Sequence, residues 1–511
     1  VADSRKFVYD QVLDFKTFHG LNIAEPPGKI KDNQLTTAVN YLIGRDGGLV
    51  KRGGYVERYS GGGVLGANAV NILGRFETDT VEQLIVRAGN DVYYSADMGL
   101  TFTVMPGGPW GNVEFGVQYV NKFYMVRSDA TVIEWNGVAA TAIAGSPFGT
   151  HCRVFKDRLF VLNTKGIGTL SSRLYFSLPG DFSAAGWVST NFIDVNPGDG
   201  DRLTSQHNTQ EILLLFKSSS SWALYAGGEP STWVLRNLSP EIGCTSKYTT
   251  HDFENYVYFL STEGVYRTTG TSLVSISGDI EPAFLDQQTV PAFLNKSTGV
   301  VYEDMYILAL EFYPSAPTWG SWEVFVWNQL GTYTWDTVGA QYKYYVYHFA
   351  SGTWTEWIPA PGTDFTAGPM LDVDCSADHR GLYIGTRTPT GKIFRIGTPV
   401  YQDQGQNYPC VAKTKEFDFD QLSFMKKSKW LAIESTGAGT MVVDILPEKG
   451  TVTQRTITTK VDRQMDKVSG PGYFRTLQIR STFVSTGPHI LYGYAIRFRG
   501  KALQPPNTVA P

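Results

Sequence analysis

Charge is scarce in this chain. Asp, Glu, Lys and Arg make up 18% of its 511 residues, against about 25% in an ordinary globular protein. Basic excess is missing as well: 44 Lys and Arg face 48 Asp and Glu, a net charge of −4. Tight phosphate binding needs a basic stripe, so a DNA-gripping protein is disfavoured. Cysteine is rarer still. Cys152, Cys244, Cys375 and Cys410 lie far apart with no CxxC among them, which removes a zinc ribbon and a disulfide scaffold and leaves buried free thiols as the expectation. No apolar run approaches the ~20 residues of a membrane helix; "ILLLF" at 212–216 is strand-length. The opening "VADSRKFVYDQ" has no apolar signal core, so the expectation is a soluble chain made in a cytoplasm, without membrane insertion. No stretch holds three turns of helical periodicity. GxxxxGK[ST], HExxH and GxSxG are all absent, and the seven histidines are scattered, so nothing marks a catalytic site or a cofactor.

Apolar, aromatic and turn residues are plentiful. Hydrophobic residues reach 42% and aromatics 14%, beside 53 glycines. That is enough for a large core, and it suits pleated strands joined by tight turns. From about residue 68 to 400 one pattern recurs: an alternating strand, a turn, a second strand, a turn. It starts in "EQLIVRAGNDVYYSADMGLTFTVM", returns in "NKFYMVRSDATVIEWNGVAATAI", and closes with "RGLYIGTRTPTGKIFRIG". The repeats begin roughly 35–55 residues apart, the length of a four-stranded propeller blade. The expected fold is all-β: a β-propeller of six or seven blades over residues 66–404, with helix below about a tenth of the residues.

Both flanks differ from the repeats. Residues 1–65 read as an extended N-terminal arm, with a short helical turn near Asp32 and a first hairpin at Asp46-Gly47. Such an arm packs either on a neighbouring subunit or on its own, and removing it would leave the propeller folded. Residues 405–511 carry longer strands and wider turns, as in a small β-sandwich or platform with a Pro-rich tail.

Four places could carry chemistry. In "VYYSADMGLTFTVM", Ser95, Asp97, Gly99 and Phe102 resemble the Asp-box turn of sialidases and other propellers. There Asp97 would accept backbone N–H groups across the hairpin, Gly99 would supply φ > 0, and Phe102 would return to the core. This is a structural turn, and the arginine cluster of a sialidase cannot be grouped from sequence. "DVNPGDGDRL" places Asp194, Asn196, Asp199 and Asp201 within eight residues. That is either a Ca²⁺ loop of hard oxygen ligands, without the Glu of an EF-hand, or a polar turn between blades. The aromatic stretch 322–357 either stacks on sugars or bases or fills gaps between blades. Basic residues cluster at Lys426, Lys427 and Lys429, and again at Arg45, Lys51 and Arg52. Both groups are candidate contacts to another subunit or an adaptor, or in the first case a solvated strand edge.

Four segments together carry a likeness: "NYLIGRDGGLVKRGGY", "SRLYFSLPGDFSAAGWVSTNFIDVNPGDGDRL", "LLLFKSSSSWALYAG" through "FLSTEGVYR", and "KEFDFDQLSFMKKSKWLAIESTGAG". In this order, from about residue 20 to 440, they resemble the tail nozzle proteins of short-tailed bacteriophages, also called tail tube B or packaged-DNA stabilisation proteins. The resemblance implies a non-enzymatic virion protein assembled as a sixfold homo-oligomeric ring below portal and tail adaptor. Tail fibres or spikes would dock outside, DNA would be met only in transit, and assembly would take place in the host cytoplasm. The alternative readings are a propeller lectin or receptor-binding module and a sialidase-type glycosidase.

Overall fold

The computed structural model describes residues 10–163, 171–285, 294–312, 341–363, 365–374, 379–397, 399–419, 425–448, 452–469 and 473–501. Among these residues there are forty strands and one α-helix, the four-residue Pro282–Leu285. No helix of the described residues is long and apolar enough to cross a membrane.

Six four-stranded antiparallel sheets stand as separate blades. In chain order they hold residues 70–104, 113–142, 151–194, 203–239, 251–275 and 367–396. A further four-stranded unit, residues 298–357, lies between the last two and continues into a larger sheet. The first strands pack side by side around an axis: Val70–Glu77, Val113–Tyr119, His151–Phe155 and Leu203–Asn208, then His251–Phe253, Thr298–Tyr302 and Ala367–Val373, which returns to Val70–Glu77. The expectation of six or seven blades thus resolves into six free-standing sheets and one shared one. Alternation explains the packing. In "LIVRA" Leu84 and Val86 face one neighbouring blade while Ile85 faces the other, so each gap holds its own apolar cluster. Trp135 and Phe123 fill one such gap with almost no exposure, and each large side chain buried this way contributes at most roughly 1.5–3 kcal/mol.

The last blade takes its fourth strand from the other end of the chain. Tyr55–Ser60 pairs antiparallel with Lys392–Ile396 and closes the ring. The expected division at residue 65 is therefore not where the sheets divide. Residues 10–51 are not an arm either. Leu35–Val39 bridges the shared blade and a further sheet: it runs parallel to Thr353–Trp357 and antiparallel to Cys410–Thr414. Beyond Cys410–Thr414 the nine-stranded sheet continues through Leu477–Val484, Gly439–Pro447 and Thr453–Thr459. A seven-stranded sheet faces it, built from Tyr41–Ile43, Leu49–Lys51, Ile490–Lys501, Met425–Thr436 and Gln464–Ser469, with Asp10–Phe15 and Tyr473–Phe474 alongside. The two sheets share a core in which Leu431, Ile433 and Ile496 meet Met441, Val443 and Ile479. This platform needs both chain ends. Around Asp32 the chain turns without a helix, through Lys29 N–H to Pro26 O at 2.8 Å and Gln34 N–H to Lys31 O at 3.0 Å.

Propeller and platform are clasped by a buried ion pair. All five N–H donors of Arg52 are used. Two reach Asp403, at 2.9 and 2.6 Å; the others reach Asn40 Oδ1, Gly53 O and Ile358 O at 2.8, 2.9 and 3.3 Å. Asp403 also accepts the Ala360 N–H at 3.0 Å, and the guanidinium lies 3.9 Å from the Tyr408 ring centre. Gly54 follows because the chain crosses itself there: a Cβ would stand 2.1 Å from Gln402 O. Removing one member of such a pair strands the other in a dry site. Arg52→Met should therefore cost about 3–5 kcal/mol in urea unfolding, and Arg52→Met with Asp403→Leu less than the sum of the two singles. Additive losses would show that the pair is not the clasp.

Candidate functional site

The Asp-box residues form one closed turn. Ser95 Oγ donates to Asp97 Oδ1 at 2.7 Å and accepts the Gly99 N–H at 2.6 Å. Asp97 Oδ1 accepts the N–H groups of Leu100 and Thr101 at 3.0 and 2.8 Å, and Oδ2 accepts the Thr101 hydroxyl at 2.5 Å. Partial burial works against the Asp97 charge, but the bonds from Thr101, Ser95 and Leu100 outweigh it and hold its pKa below the usual carboxylate range. Gly99 takes φ +92. The turn also has a job that the sequence did not reveal. Arg58, on the ring-closing strand, donates to Met98 O at 3.0 Å and Asp97 O at 2.9 Å, and Tyr59 meets Phe102 edge-on at 5.1 Å. The box fastens the first blade to the strand that closes the last.

The acidic turn separates into three contacts. Arg173 takes Asp194 with two bonds, at 2.8 and 2.9 Å. The buried Lys217 ammonium takes Asp199 at 2.5 Å and Asn196 O at 3.2 Å, and Asn196 Nδ2 donates to Asp199 at 3.0 Å. Asp201 accepts from the Ser219 N–H and the Ser220 hydroxyl, each at 3.1 Å. The carboxylates are neutralised by side-chain cations or capped by a loop, so the Ca²⁺ reading of Asp194, Asn196, Asp199 and Asp201 is replaced by that of a salt-bridged turn. Among the described residues no group of three or more His, Cys, Asp or Glu side chains is placed to hold a metal ion.

The basic interface candidates divide. Lys51 and Arg52 are 1% and 2% exposed. Lys51 donates to Ser485 O at 2.5 Å inside the platform, and burial lowers its pKa. Neither can meet another subunit, because both are spent within this chain. Lys426 is likewise buried and donates to Arg475 O at 3.0 Å, whereas Lys427 and Lys429 are exposed on the same strand. Arg45 is 94% exposed and pairs with Asp304 at 3.5 Å. Of the aromatic stretch, residues 322–340 lie outside the described residues; Tyr344, Tyr345, Tyr347, Trp354 and Trp357 are core. Cys152, Cys244 and Cys410 are free and buried, and Cys375 lies outside the described residues.

The structure assembles one polar site that no motif announced. The first strands of the blades enclose a cavity of about 310 Å³ on the propeller axis, lined by Arg75, Phe115, Arg153, Lys247, His251 and Asp252 among others. A wider groove of about 640 Å³ opens beside it over the hairpin tips at Lys156, Glu211 and Glu254, with Asp252 common to both. His151 and His207 sit behind the lining, 0% and 3% exposed. Burial, then the charge of Arg153, keeps His151, His207 and His251 neutral at pH 7, with His251 lowered to about 4.

No protein-family model matches the chain, and no curated protein does. Some solved structures are similar to the chain at low identity. A computationally designed protein, Ika8, is 11% identical, covering 67% of this chain and 100% of its own, with TM-score 0.39. BamB from Moraxella catarrhalis is 10% identical over 76% and 97%, with TM-score 0.35. The Pan2 WD40 domain of Neurospora crassa is 9% identical over 68% and 95%, with TM-score 0.37. The propeller assignment rests on the chain's own sheet order, and these likenesses carry nothing about function.

Asp97→Ala should lower stability at neutral pH by about 0.5–2 kcal/mol, the worth of a lost local cap. Because the folded pKa of Asp97 is depressed, its contribution is present above the unfolded value of about 3.9 and fades as pH falls through the folded value. Chemical denaturation of both proteins at neutral pH and near pH 3 should show the gap shrinking in acid; a gap independent of pH would remove the carboxylate from the explanation. A chelator such as EDTA should leave the melting temperature of the intact chain unchanged, and a drop restored by Ca²⁺ would return the acidic turn to the status of a metal site.

Proposed function

We propose that this chain is a structural, non-enzymatic subunit of a ring that forms part of the DNA conduit in the tail of a short-tailed bacteriophage. The ring extends the channel below portal and adaptor, retains packaged DNA and releases it at infection. Its partners are further copies of the chain, a tail adaptor, and fibres or spikes on the outside. The resemblance in the sequence suggests the family. The observation that carries the reading furthest is the continuity of the nine-stranded sheet, which runs from a propeller blade straight into the platform.

That continuity suits a wall element. A tube under internal pressure needs subunits whose parts do not hinge, and a shared sheet with a buried clasp leaves no free linker between propeller and platform. One segment that carries the resemblance falls at this joint, and another shapes a blade. "GGLVKRGG" holds the Leu49–Lys51 strand, Arg52 and the crossing at Gly54. "FSLPGD" makes the Leu178–Asp181 turn of the third blade. Ring closure needs a head-to-tail interface, and the charge distribution supplies a basis for one. Residues 405–511 carry 15 Lys and Arg against 8 Asp and Glu, net +7, which leaves 29 against 40, net −11, for residues 1–404.

Electron microscopy of the purified chain at high protein concentration tests the assembly, with hollow sixfold rings as the expected result. A monomer that binds a glycan array would favour the lectin reading instead, and release of sugar from a fluorogenic glycoside would favour an enzyme. Duplex DNA should bind only weakly, in the ~10⁻⁴–10⁻⁶ M non-specific range or weaker, and lose even that at physiological salt. Lys427→Glu with Lys429→Glu should impair ring formation more than it changes DNA affinity. Submicromolar, salt-resistant duplex binding would overturn the conduit.

A further inference from the structure

We propose that the axial cavity of the propeller binds a small phosphate-type oxyanion, as inorganic phosphate or a phosphomonoester, with Arg153 as the principal ligand. The proposal rests on a half-buried guanidinium that faces the cavity without an ion pair or hydrogen-bond acceptor of its own among the described residues, its charge offset only by the nearby Asp252. Charged groups taken out of water are normally paired, because an isolated one costs several kcal/mol. The other lining cations obey this rule. Arg75 meets Glu77 and Glu82, each at 2.8 Å. Lys247 meets Glu114 at 2.9 Å and donates to Thr150 O at 2.8 Å. Arg153 has no such partner among the described residues: its Nε is buried without a hydrogen-bond acceptor, and its contact is the Phe115 ring, 5.8 Å from the guanidinium. The nearby acid, Asp252, faces His207 Nε2 at 3.3 Å and is 65% exposed towards the mouth.

A second buried group next to Arg153 is also unsatisfied. His151 is 0% exposed, packs 4.0 Å from the Phe115 ring, and has no partner at either ring nitrogen. A neutral imidazole always keeps one N–H to donate. An oxyanion in the cavity would give Arg153 the missing acceptor; His151 lies behind the lining, out of its direct reach. The shape of the anion follows from the layout. Arg153 and His251 project from two different blades, and Lys247, with one N–H left beyond Glu114 and Thr150 O, from the turn that precedes the His251 strand. Donors converging from several directions suit a tetrahedral group better than a flat carboxylate, which prefers one forked cation. The volume of about 310 Å³ admits phosphate with its waters, or a monoester reaching out to the mouth.

The test is calorimetry and thermal melting of the intact chain in phosphate-free buffer, at ionic strength fixed with chloride. Inorganic phosphate should bind saturably at one site per chain and raise the melting temperature with the concentration dependence of a native-state ligand. Acetate should do neither. A nucleoside monophosphate that competes with phosphate would identify the monoester as an acceptable form; saturation by inorganic phosphate alone would identify the free ion. Arg153→Gln should lose roughly tenfold or more in affinity, the worth of one charge-assisted hydrogen bond. Arg153→Lys should keep part of it, and Lys122→Gln, on the surface of the second blade, all of it. Absence of saturable phosphate binding by the unmodified chain would overturn the proposal whatever the variants do. So would unchanged affinity in Arg153→Gln.

Discussion

The guanidinium of Arg52 is buried where the N-terminal strands, the shared blade and the segment after the last blade all meet. Its five donors reach Asn40, Gly53, Ile358 and Asp403, and Tyr408 covers one face while its hydroxyl donates to Arg52 O at 2.5 Å. A buried pair of this kind adds little over an apolar filler of the same shape, because desolvation consumes much of the Coulomb gain. What it does impose is a single arrangement. A guanidinium with fixed donor directions accepts only one placement of the chains around it, so the order of strands on either side of the clasp follows from it.

The rest of the architecture depends on that placement. With residue 52 fixed, the chain enters the last blade at Tyr55 and closes the ring, while residues 35–51 are held in the platform. Ring closure is then fastened from the other side by Arg58 on the carbonyls of the Asp-box turn. The propeller is closed by a strand whose two ends are anchored in different bodies. Motion of the platform relative to the propeller would have to break the clasp or split the shared nine-stranded sheet. A subunit of this design passes force through packed strands, in keeping with the role proposed for it in a tube wall.

Parts of this were legible because they are local. Alternation in "LIVRA" and "KFYMVR" shows both faces of a blade strand within one short window, since the side-chain period of a strand is two. The Ser95–Phe102 turn is legible for the same reason: every hydrogen-bond donor to the Asp97 carboxylate lies within four residues. The acidic turn stayed open between a metal loop and a polar turn because its neutralising cations are distant in sequence, Arg173 before it and Lys217 after it. Lys51 and Arg52 misled outright. Between glycines they look like an exposed basic pair, and only Ser485 and Asp403, more than 350 residues away, turn them into interior groups. The short strands of residues 35–51 are three to five residues long, too brief to show a period, so the segment read as an arm.

The sequence by itself determined the class of fold, the repeat, the Asp-box turn and the absence of catalytic motifs, because propensity, alternation and turn chemistry act over a few residues. Tertiary structure alone decided which strand closes the ring, that both ends of the chain build one platform, and which cations are buried. It also decided that Arg153, an ordinary residue of "HCRVF", lines the cavity on the propeller axis with its Nε left without an acceptor. These are matters of pairing between residues tens to hundreds of positions apart. No local preference encodes such a pairing; it is selected only when the sheets pack and the groups they enclose must find partners or go without.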